Sequence, residues 1–266
     1  FTDPNIRKAI SLGIDRAMIV KTAMFDYIPV ADATGLGDTY KVWKSQAAID
    51  AGTWMAYDPA KANEMLDAAG FTRGADGTRV DKDGNPMKYD LIVPSGWTDW
   101  ISACQIITQN MTELGIVLNL TTPEENTWTD TVTKGEFQWA LGWGSGGPTP
   151  YNFYRGQMSK LTAQPVGESA NENWPRFVSP EADVLLDKFS KTSDITEQKS
   201  IMADIEMLFV DLAPVLPLFP GPDWYEYSTA RFTGWPSAEN NYAPGVPYAG
   251  APYTTTFIVL TTITPK

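Results

Sequence analysis

The sequence predicts an α/β fold in which a mixed, mostly parallel sheet is flanked by helices. Three short apolar stretches, at 89–93, 116–120 and 137–141, alternate with stretches of helical periodicity. Helix starts are marked by a capping side chain followed by proline, at Asp3-Pro4, Asp58-Pro59 and Ser179-Pro180. With 266 residues, of which 43% are hydrophobic, the chain can also bury a sizeable core.

The elements before the sheet are predicted to be two helices joined by a long loop. The first helix covers 4–18, where apolar residues recur at helical spacing. A loop containing glycine, proline and tryptophan follows at 26–57, and its length indicates a functional or lobe-covering role. The second helix starts at Pro59 and ends before Gly70, because glycine is favoured just past a helix end.

Helices also separate and follow the three central strands. The pattern predicts helices at 101–114 and 125–134, a third that Ser179 caps, and a long amphipathic helix at 194–212 that Pro214 ends. Runs of β-branched and aromatic residues predict further strands at 215–219, 224–232 and 254–263.

The composition excludes several function classes. A formal net charge of −12 and a pI near 4.4 disfavour nucleic acid and anionic lipid as partners. The chain has no histidine, so Ser-His-Asp and Cys-His catalysis and histidine-ligated metal sites are ruled out. The single cysteine, Cys104, lies in an apolar helical pattern typical of a core residue.

Two groups of acidic residues could indicate either a functional site or an ordinary structural role. Glu124 and Glu125 are adjacent in a loop and could serve as a glycosidase pair, but this position is more typical of a helix N-terminus. The Asp76-Gly77 and Asp83-Gly84 pairs indicate hairpin turns rather than calcium ligands, because the EF-hand spacing is not met. We therefore expect neither a metal nor a cofactor.

The ends of the three central strands indicate a binding site. Ligands bind at the carboxyl ends of strands in such sheets. The residues found there are Ser95-Gly96-Trp97, Thr121-Thr122 and, in the third case, the segment Trp143–Gly147. Glycines allow close approach of a ligand to the backbone, and an indole supplies a flat apolar wall with one donor. The alternative is a tight turn beside a core tryptophan.

Four tryptophans are candidates for stacking on a ligand. Trp97, Trp100, Trp128 and Trp143 lie at strand ends or on the helix turns that follow them. Indoles at such places can stack on the apolar faces of sugar rings, and equally on a peptide or a base. We expect Trp43, Trp54 and Trp139 to be packing residues.

Three segments resemble one family of proteins. The first is Phe1-Thr-Asp-Pro-Asn-Ile-Arg-Lys-Ala…Asp15-Arg16, and the second is Tyr57-Asp-Pro-Ala-Lys-Ala…Ala69-Gly-Phe71. The third runs from Phe137 to Phe153 and is similar to a "G-W-x-x-D-x-x-x-P-x-x-F" motif. In this order the segments resemble the dipeptide/oligopeptide-type, or family 5, extracellular solute-binding proteins of ABC transporters.

The resemblance implies a fold, a role and partners. It implies a type II periplasmic-binding-protein fold, in which two lobes close on a ligand and present it to an ABC permease. Residues 1–228 would form the second, C-terminal lobe, and 229–266 would be a tail that completes a first lobe preceding Phe1. The protein would be periplasmic or extracellular, free or lipid-anchored, and not an enzyme.

One departure from the family motif points to the ligand. In peptide binders this segment carries an aspartate that pairs with the ligand's α-amino group, whereas here the aligned residue is Gly146. A peptide ammonium would lose its buried counter-charge, so the segment suits a neutral ligand. The glycine-rich version resembles the subgroup that binds cellobiose- or mannobiose-type oligosaccharides. The expected ligand-binding residues are Ser95, Gly96, Trp97, Trp100, Trp128, Trp143, Gly144, Ser145, Gly146, Gly147 and Asn152.

Three other functions remain open from the sequence. One is an oligopeptide binder of the same family that holds the amino terminus differently. Another, from a different class, is a carbohydrate-active enzyme. The third is a lobe that serves only as a scaffold, and an isolated lobe is expected to bind sugar weakly at best.

Overall fold

The computed structural model describes residues 1–222, 224–246 and 254–266 and divides the chain into two compact units, Phe1–Pro220 and Gly221–Lys266. None of the helices in these described ranges is both long and apolar enough to cross a membrane. The helices are α1 Pro4–Leu12, α2 Arg16–Ala23, α3 Gln46–Ala51, α4 Pro59–Ala68, α5 Thr98–Glu113, α6 Glu125–Lys134, α7 Tyr151–Met158, α8 Pro180–Lys191, α9 Ile195–Leu212 and α10 Thr254–Thr262. The strands are β1 Lys88–Ile92, β2 Val117–Thr121, β3 Trp139–Ala140, β4 Phe232–Thr233 and β5 Thr264–Pro265.

The first unit contains the parallel sheet that the strand–helix alternation predicts. Its order is β2-β1-β3, with β1 paired in parallel to both neighbours. Lys88 lies opposite Val117, and Leu91 lies opposite Trp139. Because all three strands run the same way, their carboxyl ends meet at one edge of the sheet.

Two apolar clusters form the core of this unit. One lies around the sheet and α1, α2, α4 and α5, and includes Trp54, Leu66 and Met111. The other lies among α7, α8 and α9 and includes Tyr154 and Phe209. Cys104 is fully buried in the first cluster, and burial raises the pKa of its thiol to about 12, so it is an inert core residue as expected.

Capping explains where several helices begin, including one that the sequence analysis misplaced. Asp3, Asp58 and Ser179 each accept a hydrogen bond from a backbone N–H of the helix that follows, as predicted. The prediction of a single helix over 4–18 is wrong. It is divided into α1 and α2 because Asp15 accepts a hydrogen bond from the N–H of Met18 at 2.9 Å and so starts a new helix.

The strand predicted at 215–219 is also wrong, since this segment belongs to neither described sheet. Prolines at 214, 217 and 220 remove the N–H groups that a sheet ladder needs. Its carbonyls are used elsewhere. Arg16 donates from Nε to the Pro217 oxygen at 2.7 Å, and the N–H of Ala31 donates to the Leu218 oxygen at 3.1 Å.

The second unit corrects two further strand predictions. Of the predicted strand at 224–232, only Phe232 lies in a strand, where β4 pairs antiparallel with β5. The predicted strand at 254–263 is instead the helix α10. Thr261 and Thr262 donate their hydroxyls to carbonyls four residues earlier, at 2.8 and 2.7 Å, which is how threonine is accommodated in a helix.

Candidate functional site

The three parallel strands bring the predicted strand-end segments together. The N–H of Ser95 donates to the oxygen of Pro123 at 2.8 Å, which joins the chain after β1 to the chain after β2. The N–H of Leu141 donates to the oxygen of Ile92 at 3.3 Å, which joins β3 to β1. Beyond these bonds, each segment leaves the sheet at the same edge.

Five indoles meet at this edge, and we call them the tryptophan cluster: Trp97, Trp100, Trp128, Trp143 and Trp174. The rings of Trp97 and Trp143 are nearly parallel, at 21°, with centroids 6.0 Å apart. Trp97 and Trp100 are in edge contact at 4.8 Å. Trp128 lies 5.3 Å from Trp143. All four tryptophans proposed from the sequence therefore belong to one contiguous group of contacting rings.

Members of the cluster differ sharply in exposure. Trp143 is 52% exposed, Trp97 and Trp100 are half-buried, and Trp128 is completely buried beneath them. Trp97 ends the turn that contains Gly96, whose φ of +81° favours glycine, and it starts α5. In this arrangement Trp143 presents the largest free aromatic face, and Trp128 supports it from below.

Trp174 is the member of the cluster that sequence reasoning missed. It makes edge contacts with Trp143 at 5.1 Å and with Trp128 at 5.7 Å. Its ring also lies against the backbone of Gly142, where a Cβ atom would come within 2.9 Å of the indole. The residue follows a stretch without helical or strand periodicity, so only its residue type could have signalled a role.

The loop around Trp174 is held by many hydrogen bonds. Asn173 donates from its amide nitrogen to the oxygens of Ser159 and Phe177 at 3.0 and 2.7 Å. Arg176 donates to the oxygen of Thr133 at 2.7 Å. Asn173 and Arg176 both have left-handed backbones, with φ of +53° and +59°, which is unfavourable for such residues and is offset by these bonds. Trp174 is therefore fixed against Trp143 by a rigid loop.

The glycine-rich segment after Trp143 is anchored at both ends. At one end, the Phe153 ring packs so closely on Gly144 that a Cβ atom on this glycine would come within 2.5 Å of the ring. The hydroxyl of Tyr40 donates to the oxygen of Gly147 at 2.8 Å and accepts from its N–H at 2.9 Å. Tyr40 comes from the long loop after α2 and was not singled out in the sequence.

Gly146 differs from its neighbours because the space beside it is open. No atom lies within 4 Å of the position that its Cβ would occupy. The Nδ2 of Asn152 donates to the Gly146 oxygen at 3.0 Å and keeps the turn in shape. Ser145 is half-buried next to Gly156. A side chain at 146 would therefore fit without displacing a neighbouring residue.

The charged groups on the elements that carry the cluster differ in their partners. Arg155 and Glu172 form an ion pair at 2.9 Å. Asp99, in the first turn of α5, accepts a hydrogen bond from the N–H of Trp100 at 2.9 Å. Glu124 and Glu125 are exposed at the N-terminus of α6, the position that the sequence favours for them, and the helix dipole stabilises negative charge there.

Comparison with solved structures identifies the fold. A periplasmic oligopeptide-binding protein from Thermotoga maritima, solved with mannohexaose, matches 99% of this chain and 49% of its own at 26% identity and a TM-score of 0.89. DppA from Helicobacter pylori, solved with the peptide STSA, matches 82% of this chain and 38% of its own at 22% identity and a TM-score of 0.68.

A third structure extends the range of ligands in this fold. AgaA from A. tumefaciens R10, in complex with agropinic acid, covers 100% of this chain and 48% of its own at 17% identity and a TM-score of 0.74. Among curated proteins, no match was found. The fold is thus that of type II periplasmic binding proteins, and the chain spans 49%, 38% and 48% of the lengths of these three structures.

The family assignment rests on the first three-fifths of the chain. Residues 1–164 match the model of the bacterial extracellular solute-binding proteins, family 5, and this match includes four members of the tryptophan cluster and the glycine-rich segment. Proteins of this family are binding components of ABC transporters rather than enzymes. The chain belongs to the family 5 bacterial extracellular solute-binding proteins.

Proposed function

We propose that this chain is the C-terminal lobe of a two-lobed ABC-importer binding protein that captures a neutral oligosaccharide. In this proposal residues 1–228 form the lobe, and 229–266 cross back to an N-terminal lobe. The closed protein would deliver its ligand to an ABC permease from a periplasmic or extracellular location, either free or lipid-anchored. The family match and the half-length coverage of the structural relatives support this organisation.

The observation that carries the ligand class is the tryptophan cluster at the carboxyl edge of the sheet. Trp143 offers a half-exposed indole face, and Trp97 lies nearly parallel to it. The axial C–H face of a pyranose is apolar and packs well on such a surface. Trp128 and Trp174 would act by holding Trp143 in place, because Trp128 is fully buried and Trp174 contacts Trp143 edge-on.

The polar groups beside the cluster suit sugar hydroxyls. Ser95 and Ser145 are half-buried hydroxyls near the strand ends, and Asn152 lies next to the glycine-rich segment. The backbones of Gly144 and Gly146 add further donors and acceptors, whereas the N–H and the oxygen of Gly147 are already bonded to the Tyr40 hydroxyl.

The absence of a carboxylate at 146 favours a ligand without a positive charge. A buried ammonium without a counter-charge costs several kcal/mol. The space beside Gly146 is open, so the lack of an acid there is not imposed by crowding. The mannohexaose in the T. maritima structure is consistent with this chemistry.

Calorimetry of the full-length protein would test the proposal against manno- and cello-oligosaccharides and a mixed peptide pool. We expect binding of oligosaccharides and a loss of about 2 kcal/mol, or roughly thirtyfold, in Trp143→Ala. Phe25→Ala removes an aromatic residue that is 70% exposed and lies outside the cluster, and it should leave affinity unchanged. Tight binding of peptides alone would refute the oligosaccharide assignment.

A peptide ligand is the second candidate, and Asp99 is the observation that favours it. Its carboxylate lies at the start of α5 beside Trp100 and could pair with a peptide ammonium in place of the missing aspartate. Under this alternative, Asp99→Asn would abolish peptide binding. Under the oligosaccharide proposal, Asp99→Asn should change the affinity for sugar by less than about threefold, because at most one weak hydrogen bond would be lost.

A further inference from the structure

A second concave region of the first unit lies outside the tryptophan cluster. It is an open pocket of about 280 Å³ between the start of α7, the last turn of α8 and the first turn of α9. Two aromatic residues line it, Tyr151 and Phe189, together with four polar residues: Thr149, Asn152, Ser190 and Gln198. The volume is just below the range of about 300–1,000 Å³ that is typical of small-molecule sites.

The aromatic part of this pocket is held rigidly. The rings of Tyr151 and Phe189 are stacked, with centroids 5.6 Å apart and an angle of 23°. Phe189 is 5% exposed and packs on Trp43 behind it. The Arg155 guanidinium lies 5.9 Å from the centre of the Tyr151 ring. The pocket thus has a preformed apolar floor and no charged side chain in its lining.

The polar side chains that line the pocket keep donors or acceptors that are not used within the described part of the protein. Gln198 uses its amide nitrogen to donate to the oxygen of Thr192 at 2.9 Å, which orients the side chain and leaves its carbonyl oxygen as an acceptor. Ser190 donates its hydroxyl to the Asp187 oxygen, so its own oxygen can accept. Thr149 accepts from the N–H of Tyr151 at 3.4 Å and keeps a donor. Neutral donors and acceptors around an aromatic floor suit a hydroxylated ring.

The pocket is continuous with the candidate site along the chain. Asn152, which lines the pocket, donates to the oxygen of Gly146 in the glycine-rich segment. Trp143 and Thr149 are six positions apart in the chain, so their Cα atoms are at most about 20 Å apart even when the chain is fully extended. A ligand of several sugar units that lies on Trp143 is therefore long enough to reach the pocket past Gly146, whose Cβ position is open.

We propose that this pocket is a second subsite that takes an additional sugar unit of a longer neutral oligosaccharide. The inference rests on the proposed function, because it assigns the same ligand class to a separate surface. It adds that residues of α8 and α9, which lie outside the tryptophan cluster, determine the ligand length that the protein prefers.

Filling the pocket provides the test. Ser190→Trp places an indole in the pocket, and Val184→Trp adds the same ring to α8 at a residue that is 55% exposed and does not line the pocket. Calorimetry of the full-length protein would compare disaccharides with hexasaccharides of the manno and cello series. Gln198→Ala, which removes the spare acceptor without adding bulk, is the third variant.

Wild type and Val184→Trp should bind the longer ligand more tightly than the shorter one. Ser190→Trp should lower the affinity for the longer ligand by about tenfold and leave the affinity for the disaccharide unchanged. A tenfold loss corresponds to one net hydrogen bond together with some apolar contact. Gln198→Ala should act in the same direction. If sugars bind but Ser190→Trp and Val184→Trp behave alike, the subsite is refuted and the proposed function stands. If no sugar binds to wild type, both are refuted.

Discussion

Replacing Glu206 with glutamine should make the protein more stable at alkaline pH and leave it nearly unchanged at pH 4. Glu206 lies on α9 and is completely buried. One carboxyl oxygen accepts a hydrogen bond from the N–H of Ser45 at 2.6 Å, and the other is buried without a partner among the described residues. Burial, opposed by the Ser45 bond, raises the pKa of this carboxyl from 4.5 to about 7.

The two nearest charges partly offset each other. Asp32 raises the pKa of Glu206 and Lys44 lowers it, and these two residues form an ion pair at 2.7 Å. Because the folded pKa is above the unfolded one, the folded state holds the proton up to a higher pH. The stability that this provides is complete below pH 4.5 and is lost as the pH rises through about 7.

The size of the effect follows from the shift. A difference of 2.5 between 4.5 and about 7 corresponds to roughly 3.5 kcal/mol, at about 1.4 kcal/mol for each unit. Glutamine stays neutral at every pH and keeps an acceptor for Ser45. The free energy of unfolding of Glu206→Gln should therefore exceed that of wild type by up to roughly 3.5 kcal/mol at pH 8.

Urea unfolding followed by circular dichroism from pH 4 to pH 8 measures this difference. Asp204→Asn replaces an exposed carboxyl on the same helix and is the matched control, with an expected change below about 0.5 kcal/mol throughout. A difference between Glu206→Gln and wild type that stays constant with pH would refute the reasoning, because it would mean that Glu206 titrates alike in the folded and unfolded states.

Three further predictions concern the candidate site. Gly146→Asp should fold normally, since no atom lies within 4 Å of the new Cβ, and calorimetry should show weaker sugar binding; unchanged affinity would contradict the ligand assignment. Gly142→Ala, whose Cβ would come 2.9 Å from the Trp174 ring, should lower the free energy of urea unfolding by about 1–3 kcal/mol, while Gly146→Ala should not. Tyr40→Phe should cost about 1–2 kcal/mol and speed hydrogen exchange at the Gly147 amide; exchange at the wild-type rate would show that the hydroxyl does not anchor the segment.

The features that could be predicted from sequence are those encoded by local patterns. Helix α6 matches its predicted bounds, 125–134, because amphipathic spacing and a C-terminal glycine define it locally. The three central strands were also predicted, since each is an apolar run bounded by polar or turn residues. Their shared direction then placed Trp97 and Trp143 at one edge.

The features that could not be predicted depend on contacts between distant residues. Tyr40 and Trp174 join the site through a hydrogen bond and ring contacts that no local pattern encodes. The helix α10 was predicted as a strand because its residues favour strands intrinsically, and such propensities are routinely overridden. The residues of 215–219 have the composition of a strand, but their carbonyls are used by Arg16 and Ala31.

The tryptophan cluster also has an optical consequence. Its contacting rings lie between 4.8 and 6.3 Å apart, well within the distance over which indoles exchange excitation energy. Light absorbed by any of them therefore passes to the ring with the lowest excited state, and water lowers that state most for the exposed Trp143. One residue thus sets much of the emission colour of the cluster. A ligand that covered Trp143 would shift the emission to the blue. Trp143 is therefore an intrinsic fluorescent probe at the place where the ligand is expected to bind.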